Sequence, residues 1–205
     1  MNDKGIKQAI RKRVDSLPLD FVFAPSDFLD IAGEDSIWQT LKELTDNGLI
    51  ERIERGIYYK PRYNTLLDKT VPPDIDAVAQ AIARSKNWII APSGDTALNK
   101  LGLDTQVPAV YSYVSNGPYY TRAIGPYTLR FKHAANKDIT SMSQTTLLVV
   151  QAIKALGKDR ITEKEITIIA ARLTQKEKEL LLKEGLRTTA WIRAAIKRIS
   201  QEKAL

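Results

Sequence analysis

Three consecutive runs, Leu49-Ile-Glu-Arg-Ile53, Glu54-Arg55-Gly56 and Ile57-Tyr-Tyr-Lys60, constrain the fold of this chain more than any other segment. Two β-prone runs around three residues ending in glycine predict a hairpin with a tight loop, because glycine takes the left-handed backbone such loops need without steric cost. Pro61 ends the second strand, since it has no amide to give to a ladder. The residues before the hairpin narrow the choice further. Ile6, Ala9, Ile10, Val14 and Leu17 recur at helical spacing and predict a helix over 5–16, with Lys7, Arg11, Lys12 and Arg13 on its other faces and Pro18 as its stop. Phe21-Val-Phe23 is a short β-prone run, and Pro25-Ser-Asp27 opens a second predicted helix through Phe28, Leu29 and Ile31, broken at Gly33. Asp35 or Ser36 then caps a third, with Ile37, Leu41 and Leu44 as its apolar stripe and Asn47-Gly48 as its end. Three short helices followed by a hairpin is the element order of a winged helix-turn-helix.

The rest of the chain reads as a second, mixed region. Residues 64–74, with Pro72-Pro73, look like a connector, and Ile75, Val78, Ala79 and Ile82 predict a helix over about 75–86. Trp88-Ile-Ile-Ala91 reads as a buried strand, and Pro92-Ser-Gly-Asp95 leads into a helix bearing Ala97, Leu98 and Leu101 and closed by Gly102. Val107–Val114, Tyr119–Ile124 and Tyr127–Lys132, separated by turns at Asn116-Gly117 and Gly125-Pro126, predict a small antiparallel meander. After that the pattern is helical. Ser141/Gln144, Thr162/Glu165 and Thr174/Glu177 each fit the capping box, in which side chains satisfy the free amides of a first turn. Gly157 and Gly185 are stops, and a final helix from about Thr189 is expected to bury Trp191, Ile192, Ala195, Ile196 and Ile199. The expected fold is therefore α+β: a winged helix-turn-helix over 1–63, a linker over 64–74, and a mixed α+β domain over 75–205 ending in basic helices.

Composition limits the chemistry. Apolar residues make up 43% of the 205, enough for a buried core, and 31 Lys and Arg against 24 Asp and Glu give a charge of +7 that favours polyanionic partners. That surplus is uneven. Residues 1–65 hold 10 basic and 11 acidic side chains, residues 66–145 hold 8 and 6, and residues 146–205 hold 13 and 7. Recognition by the amino-terminal part must therefore rest on the placement of single side chains. Cysteine is absent, which excludes disulfides, thiol catalysis and thiolate zinc sites, and the single histidine, His133, excludes a site needing two imidazoles. The charged amino terminus and the lack of any long apolar run predict neither secretion nor a membrane partner, so a cytoplasmic location is expected, with no metal and no cofactor.

In a winged helix the third helix enters the major groove, where exposed polar side chains meet base edges. With Ile37, Leu41 and Leu44 inward, Ser36, Gln39, Thr40 and Glu43 form the expected outward set, with Lys42 at the side. Gln39 suits a two-pronged contact to adenine; Ser36 and Thr40 suit bases or phosphate. Arg55 at the hairpin tip, flanked by Arg52 and Lys60, is placed for the minor groove or a phosphate, and Ser26 with the amides of the second helix for another phosphate. Arg193, Lys197 and Arg198 on the last helix are candidate accessory phosphate contacts. The same scaffold also serves as a protein-interaction module, and Glu51 and Glu54 beside the wing arginines lower the local positive field.

Features suggesting enzyme chemistry read more simply as structure, and no catalytic residue is assigned. Ser93-Gly-Asp95 lacks the lysine and second glycine of a phosphate loop and fits a helix cap. Asp74 and Asp76 suit a helix start, and no nucleophile elbow accompanies His133. Tyr111, Tyr113, Tyr119, Tyr120 and Tyr127 are expected mainly to pack the sheet, an aromatic platform for a single strand or a protein being the alternative.

Phe23-Ala-Pro-Ser-Asp-Phe-Leu29 with Gly48-Leu-Ile-Glu-Arg-Ile-Glu-Arg-Gly-Ile-Tyr-Tyr-Lys-Pro61, and then Ser93-Gly-Asp-Thr-Ala-Leu-Asn-Lys-Leu-Gly-Leu103 running into Thr105-Gln-Val-Pro108, resemble the AbiEi family, antitoxins of bacterial type IV toxin–antitoxin (abortive infection) systems. The resemblance covers segments within roughly the first 110 residues. It implies a winged helix that binds inverted repeats in the double-stranded DNA of its own promoter and represses a two-gene operon; two copies could share such a repeat. It further implies a second domain that counters a nucleotidyltransferase-like toxin without needing a stable complex with it. The alternatives are a stand-alone winged-helix regulator whose second domain senses a ligand or partner, and a nucleotide-handling enzyme built around Ser93–Asn99.

Overall fold

The computed structural model of the chain describes residues 3–66 and 68–202, so the outermost residues of the two expected domains and one residue of the expected linker lie outside the description. The described residues divide into two compact units, one up to Trp88 and the other from Ile89. The molecule is α+β, with amino-terminal helices on a small sheet, a mixed sheet in the middle and a helical last third.

In the first unit α1 (Asp3–Ser16) is followed by β1 (Val22–Phe23), a single 3-10 turn (Pro25–Phe28), α2 (Glu34–Asp46), β2 (Glu51–Glu54) and β3 (Ile57–Tyr59). The three strands pair antiparallel in the order β1-β3-β2. This is the winged-helix arrangement, with β2 and β3 as the wing. Apolar spacing sets which faces turn inward: Ile10 and Val14 of α1, Ile37, Leu41 and Leu44 of α2, and Phe23, Phe28 and Tyr58 form one buried cluster. The Phe23 ring stacks on Tyr58 at 6.0 Å and meets Phe28 edge-on at 5.5 Å. Gly48 ends α2 with φ +70°, and Gly56 turns the wing with φ +82°. The expected second helix is shorter than its pattern suggested. Asp27 accepts from the Ala24 amide and closes a tight 3-10 turn instead of starting an α-helix.

The expected linker contains structure of its own. Arg62–Asn64 (β4) pairs antiparallel with Lys69–Val71 (β5), and Arg62 forms an ion pair with Asp20 at 2.9 Å. Asp74 caps α3 (Ile75–Ser85) by accepting from the Asp76 amide. Arg84 of α3 donates to the Val22 carbonyl at 3.0 Å and reaches Asp27 at 3.3 Å, so this helix, expected to open the second domain, packs with the first. The division falls after Trp88, not at 74/75.

The second unit opens with β6 (Ile90–Ser93), α4 (Asp95–Lys100), β7 (Val110–Ser115), β8 (Tyr120–Ile124) and β9 (Tyr127–His133), which give a sheet of order β6-β7-β9-β8. The expected antiparallel meander is only partly present. β8 and β9 form an antiparallel hairpin, but β9 lies between β7 and β8 and runs parallel to β7. Tyr113 and Phe131, opposite each other on these parallel strands, stack at 5.7 Å and are fully buried. Helices α5 (Asn136–Ile139), α6 (Gln144–Leu156), α7 (Glu163–Ala171), α8 (Gln175–Glu184) and α9 (Ala190–Gln201) complete the unit. The boxes at Thr162/Glu165 and Thr174/Glu177 form; the one expected at Ser141 does not, because Ser143 caps α6 by accepting from the Thr146 amide. Trp191 is half-buried beside the helical core, whereas Ile192, Ala195, Ile196 and Ile199 are fully buried. Buried Lys178 donates to the Glu202 carbonyl at 2.8 Å, placing a cation at the carbonyl end of α9, where the helix dipole favours it.

Candidate nucleic-acid interface

Helix α2 and the wing enclose a groove of about 710 Å³, and the side chains that matter on its walls are Trp38, Gln39, Lys42, Arg52, Arg55 and Tyr58. Each position follows from local structure. Gln39 and Lys42 project from the face of α2 opposite the Ile37-Leu41-Leu44 stripe, and both are exposed. Arg52 lies on β2 next to an irregularity at Ile53, and Arg55 occupies the two-residue turn between Glu54 and Ile57. Arg52 Nε donates to the Glu54 carbonyl at 3.3 Å, which fixes its direction while leaving its outer nitrogens available. Arg55 is exposed and makes no hydrogen bond or ion pair among the described residues.

The carboxylates around the groove are unequal. Glu51 accepts from the Tyr59 hydroxyl at 2.6 Å, and Glu43 pairs with Lys7 at 2.6 Å, so both are turned to internal partners. Burial first, and this hydrogen bond second, push the Tyr59 phenol above its ordinary value and keep it a donor to Glu51. Tyr58 is also pushed up, by burial, with Arg52 pulling the other way. Asp46 remains on the groove wall, and Glu34 and Asp35 are exposed in the first turn of α2. Lys42, Arg52 and Arg55 thus line the groove against the single carboxylate Asp46, Glu54 lies in the wing between the two arginines, and the amino-terminal end of α2 is negative.

Four of the expected contacts, Gln39, Lys42, Arg52 and Arg55, are brought together. Ser36 is half-buried one turn earlier, on the same helix but outside the groove lining. Thr40, expected outward, is buried, and its hydroxyl donates to the Ser36 carbonyl at 2.7 Å. Positions 37, 40, 41 and 44 make one ordinary inward stripe, and a threonine can close it by bonding back to its own helix. Lys60 does not face the wing. Its ammonium donates to the carbonyls of Asp15 (2.7 Å) and Leu17 (2.8 Å), where it satisfies the free end of α1. Ser26 is exposed in the 3-10 turn, which is too short to present the aligned amides of a helix start.

Trp38 was not singled out from the sequence. It is 37% exposed, meets Tyr58 edge-on at 6.5 Å and forms a groove wall. The available signal was a large aromatic beside Gln39, off the apolar stripe. Of the accessory cations, Arg198 pairs with Glu163 at 2.6 Å, and Arg193 donates to the carbonyls of Leu186 and Thr188. Lys197 has no partner among the described residues. His133, by contrast, is hydrogen-bonded through Nδ1 to the Gly117 carbonyl at 2.9 Å. Ser93 is no cap: Gly94 takes that position, and the Ser93 hydroxyl is buried without a hydrogen-bond partner among the described residues.

The first unit is thus a winged helix with a cationic, aromatic-walled groove. A family model described as a family of unknown function, DUF6088, matches residues 9–181, and the chain belongs to that family. No curated protein matches it. Among the described residues no helix is long and apolar enough to cross a membrane.

Proposed function

We propose that this protein is a DNA-binding antitoxin and autorepressor of the AbiEi type, in which α2 and the wing hold operator DNA and the second unit counters a nucleotidyltransferase-like toxin. One observation carries the DNA part: Gln39, Lys42, Arg52 and Arg55 converge on a single groove between a helix and a wing. Lysine and arginine there supply backbone contacts, and the Gln39 amide, with an acceptor and a donor side by side, suits an adenine edge. The antitoxin part rests on the resemblance of Phe23–Leu29, Gly48–Pro61 and Ser93–Pro108 to that family.

A reporter gene driven by the DNA upstream of this gene tests the reading in cells. The full-length chain should repress it, and an Arg52→Ala/Arg55→Ala variant should not. Co-expression with the neighbouring gene tests the second half: toxicity of that gene, relieved by the full chain, supports the antitoxin. A harmless neighbour would leave a winged-helix regulator only.

A further inference from the structure

A second recess lies in the other unit, and two of the cations expected as accessory phosphate contacts, Arg193 and Lys197, line it. Leu182, Leu186 and Ile196 give this groove of about 300 Å³ its apolar lining. Its shape follows from Gly185. A β-carbon there would lie 2.6 Å from Ile196 Cδ1, so the 3-10 turn Gly185–Arg187 rests directly on α9 and holds the Leu186 side chain out beside the gap. Leu186 is 68% exposed and Leu182 41% exposed. Two leucines left in water beside a recess represent apolar surface that a partner could bury.

Charge decides what that partner is. Arg193 donates to the Leu186 and Thr188 carbonyls, which fixes its guanidinium at the groove while leaving other N–H donors unused. Lys197 is exposed one turn further along α9. The carboxylates nearest in sequence face elsewhere: Glu184 accepts from the Ser143 hydroxyl at 2.8 Å, and Glu202 from Thr167 at 3.2 Å. The lining therefore joins two cations to an apolar surface. Duplex DNA would leave Leu182 and Leu186 against phosphates, and a flat lipid surface would leave the recess unfilled.

We infer that this groove docks an acidic protein segment, whose apolar side chain enters between Leu182, Leu186 and Ile196 while its carboxylates meet Arg193 and Lys197. A fixed arginine lowers the ordering cost of that contact, and the leucines supply its apolar burial. The inference stands on the second unit alone and does not depend on DNA binding.

The test is selection of a random peptide display library on the full-length protein, with counter-selection on a Leu186→Asp/Lys197→Glu variant. Both residues are exposed, and unfolding midpoints establish that the variant is folded; Leu186→Ser and Lys197→Gln serve as milder substitutes if it is not. The expected pool is rich in Asp and Glu around one or two Leu, Ile or Phe anchors. The tightest peptide should bind at least about tenfold more weakly to each single variant. A pool that is basic or uncharged, or no pool that distinguishes the variants, overturns the inference. So does binding of phosphatidylserine vesicles or duplex DNA that these substitutions abolish while peptide binding stays unchanged.

Discussion

Trp38 on α2 meets Tyr58 on β3 edge-on, with ring centres 6.5 Å apart, so α2 and the wing strand share one aromatic wall. Gly56 at the wing turn lies against the same tryptophan: a β-carbon there would be 3.4 Å from its ring, on a backbone with φ +82°. Helix and wing are thus positioned together.

Gly56→Ala places a side chain in a left-handed conformation and should destabilise the first unit by about 1 kcal/mol. Wing geometry should change with it, so DNA affinity falls even where the protein remains folded. Denaturant unfolding and a binding titration on the same sample separate the two effects.

Gln39 and Arg55 should differ in kind. Gln39→Ala is expected to relax sequence preference with little change on unrelated DNA. Arg55→Ala should weaken binding to every sequence and reduce the slope of affinity against salt by about one unit, the effect of losing one phosphate contact. Identical behaviour of the two variants across sequences and salt would contradict these roles.

Lys60 provides the control. Its ammonium holds the end of α1, so Lys60→Met should lower stability by about 1–2 kcal/mol, a charged hydrogen-bonding group being lost from a helix terminus. The folded fraction should bind DNA as the parent does. Loss of affinity without loss of stability would return Lys60 to the interface.

The second unit should show an acid-sensitive tie at Glu184. Burial pushes its carboxyl up, but hydrogen bonds from Thr146 and from the Ser143 amide and hydroxyl outweigh that and hold it below the ordinary glutamate range. A group depressed in the folded state stabilises above its unfolded value, about pH 4.3, and the benefit is lost as pH falls through the folded value. Glu184→Gln should therefore cost about 1 kcal/mol near neutrality and nearly nothing in strong acid. An equal cost at both pH values would show that the tie does not depend on charge.

Much of this was legible locally. The glycine at the wing turn, the α2 stripe and two of the three capping boxes need only neighbouring residues, and the structure has them where the pattern put them. Thr40 is buried despite its polarity because its position continues the inward stripe and its hydroxyl bonds back to the Ser36 carbonyl. Lys60 looked like a wing cation because its partners, the carbonyls of Asp15 and Leu17, are more than 40 residues away. The parallel pairing of β7 with β9 was hidden for the same reason: turn residues fix that β8 reverses, not which strand β9 joins. The groove itself was half visible, since Gln39, Lys42, Arg52 and Arg55 were identifiable, but the Trp38 wall depends on the tertiary approach of Tyr58.

The α2–wing groove is proposed to hold a specific duplex. The most direct measurement is a fluorescence titration of the full-length protein with labelled DNA from upstream of its own gene, competed by the same duplex with its sequence scrambled. Specific recognition predicts that the native duplex competes far better than the scrambled one, and that Arg52→Ala/Arg55→Ala removes most of the binding. Equal competition by both duplexes, or binding untouched by the double substitution, would contradict it.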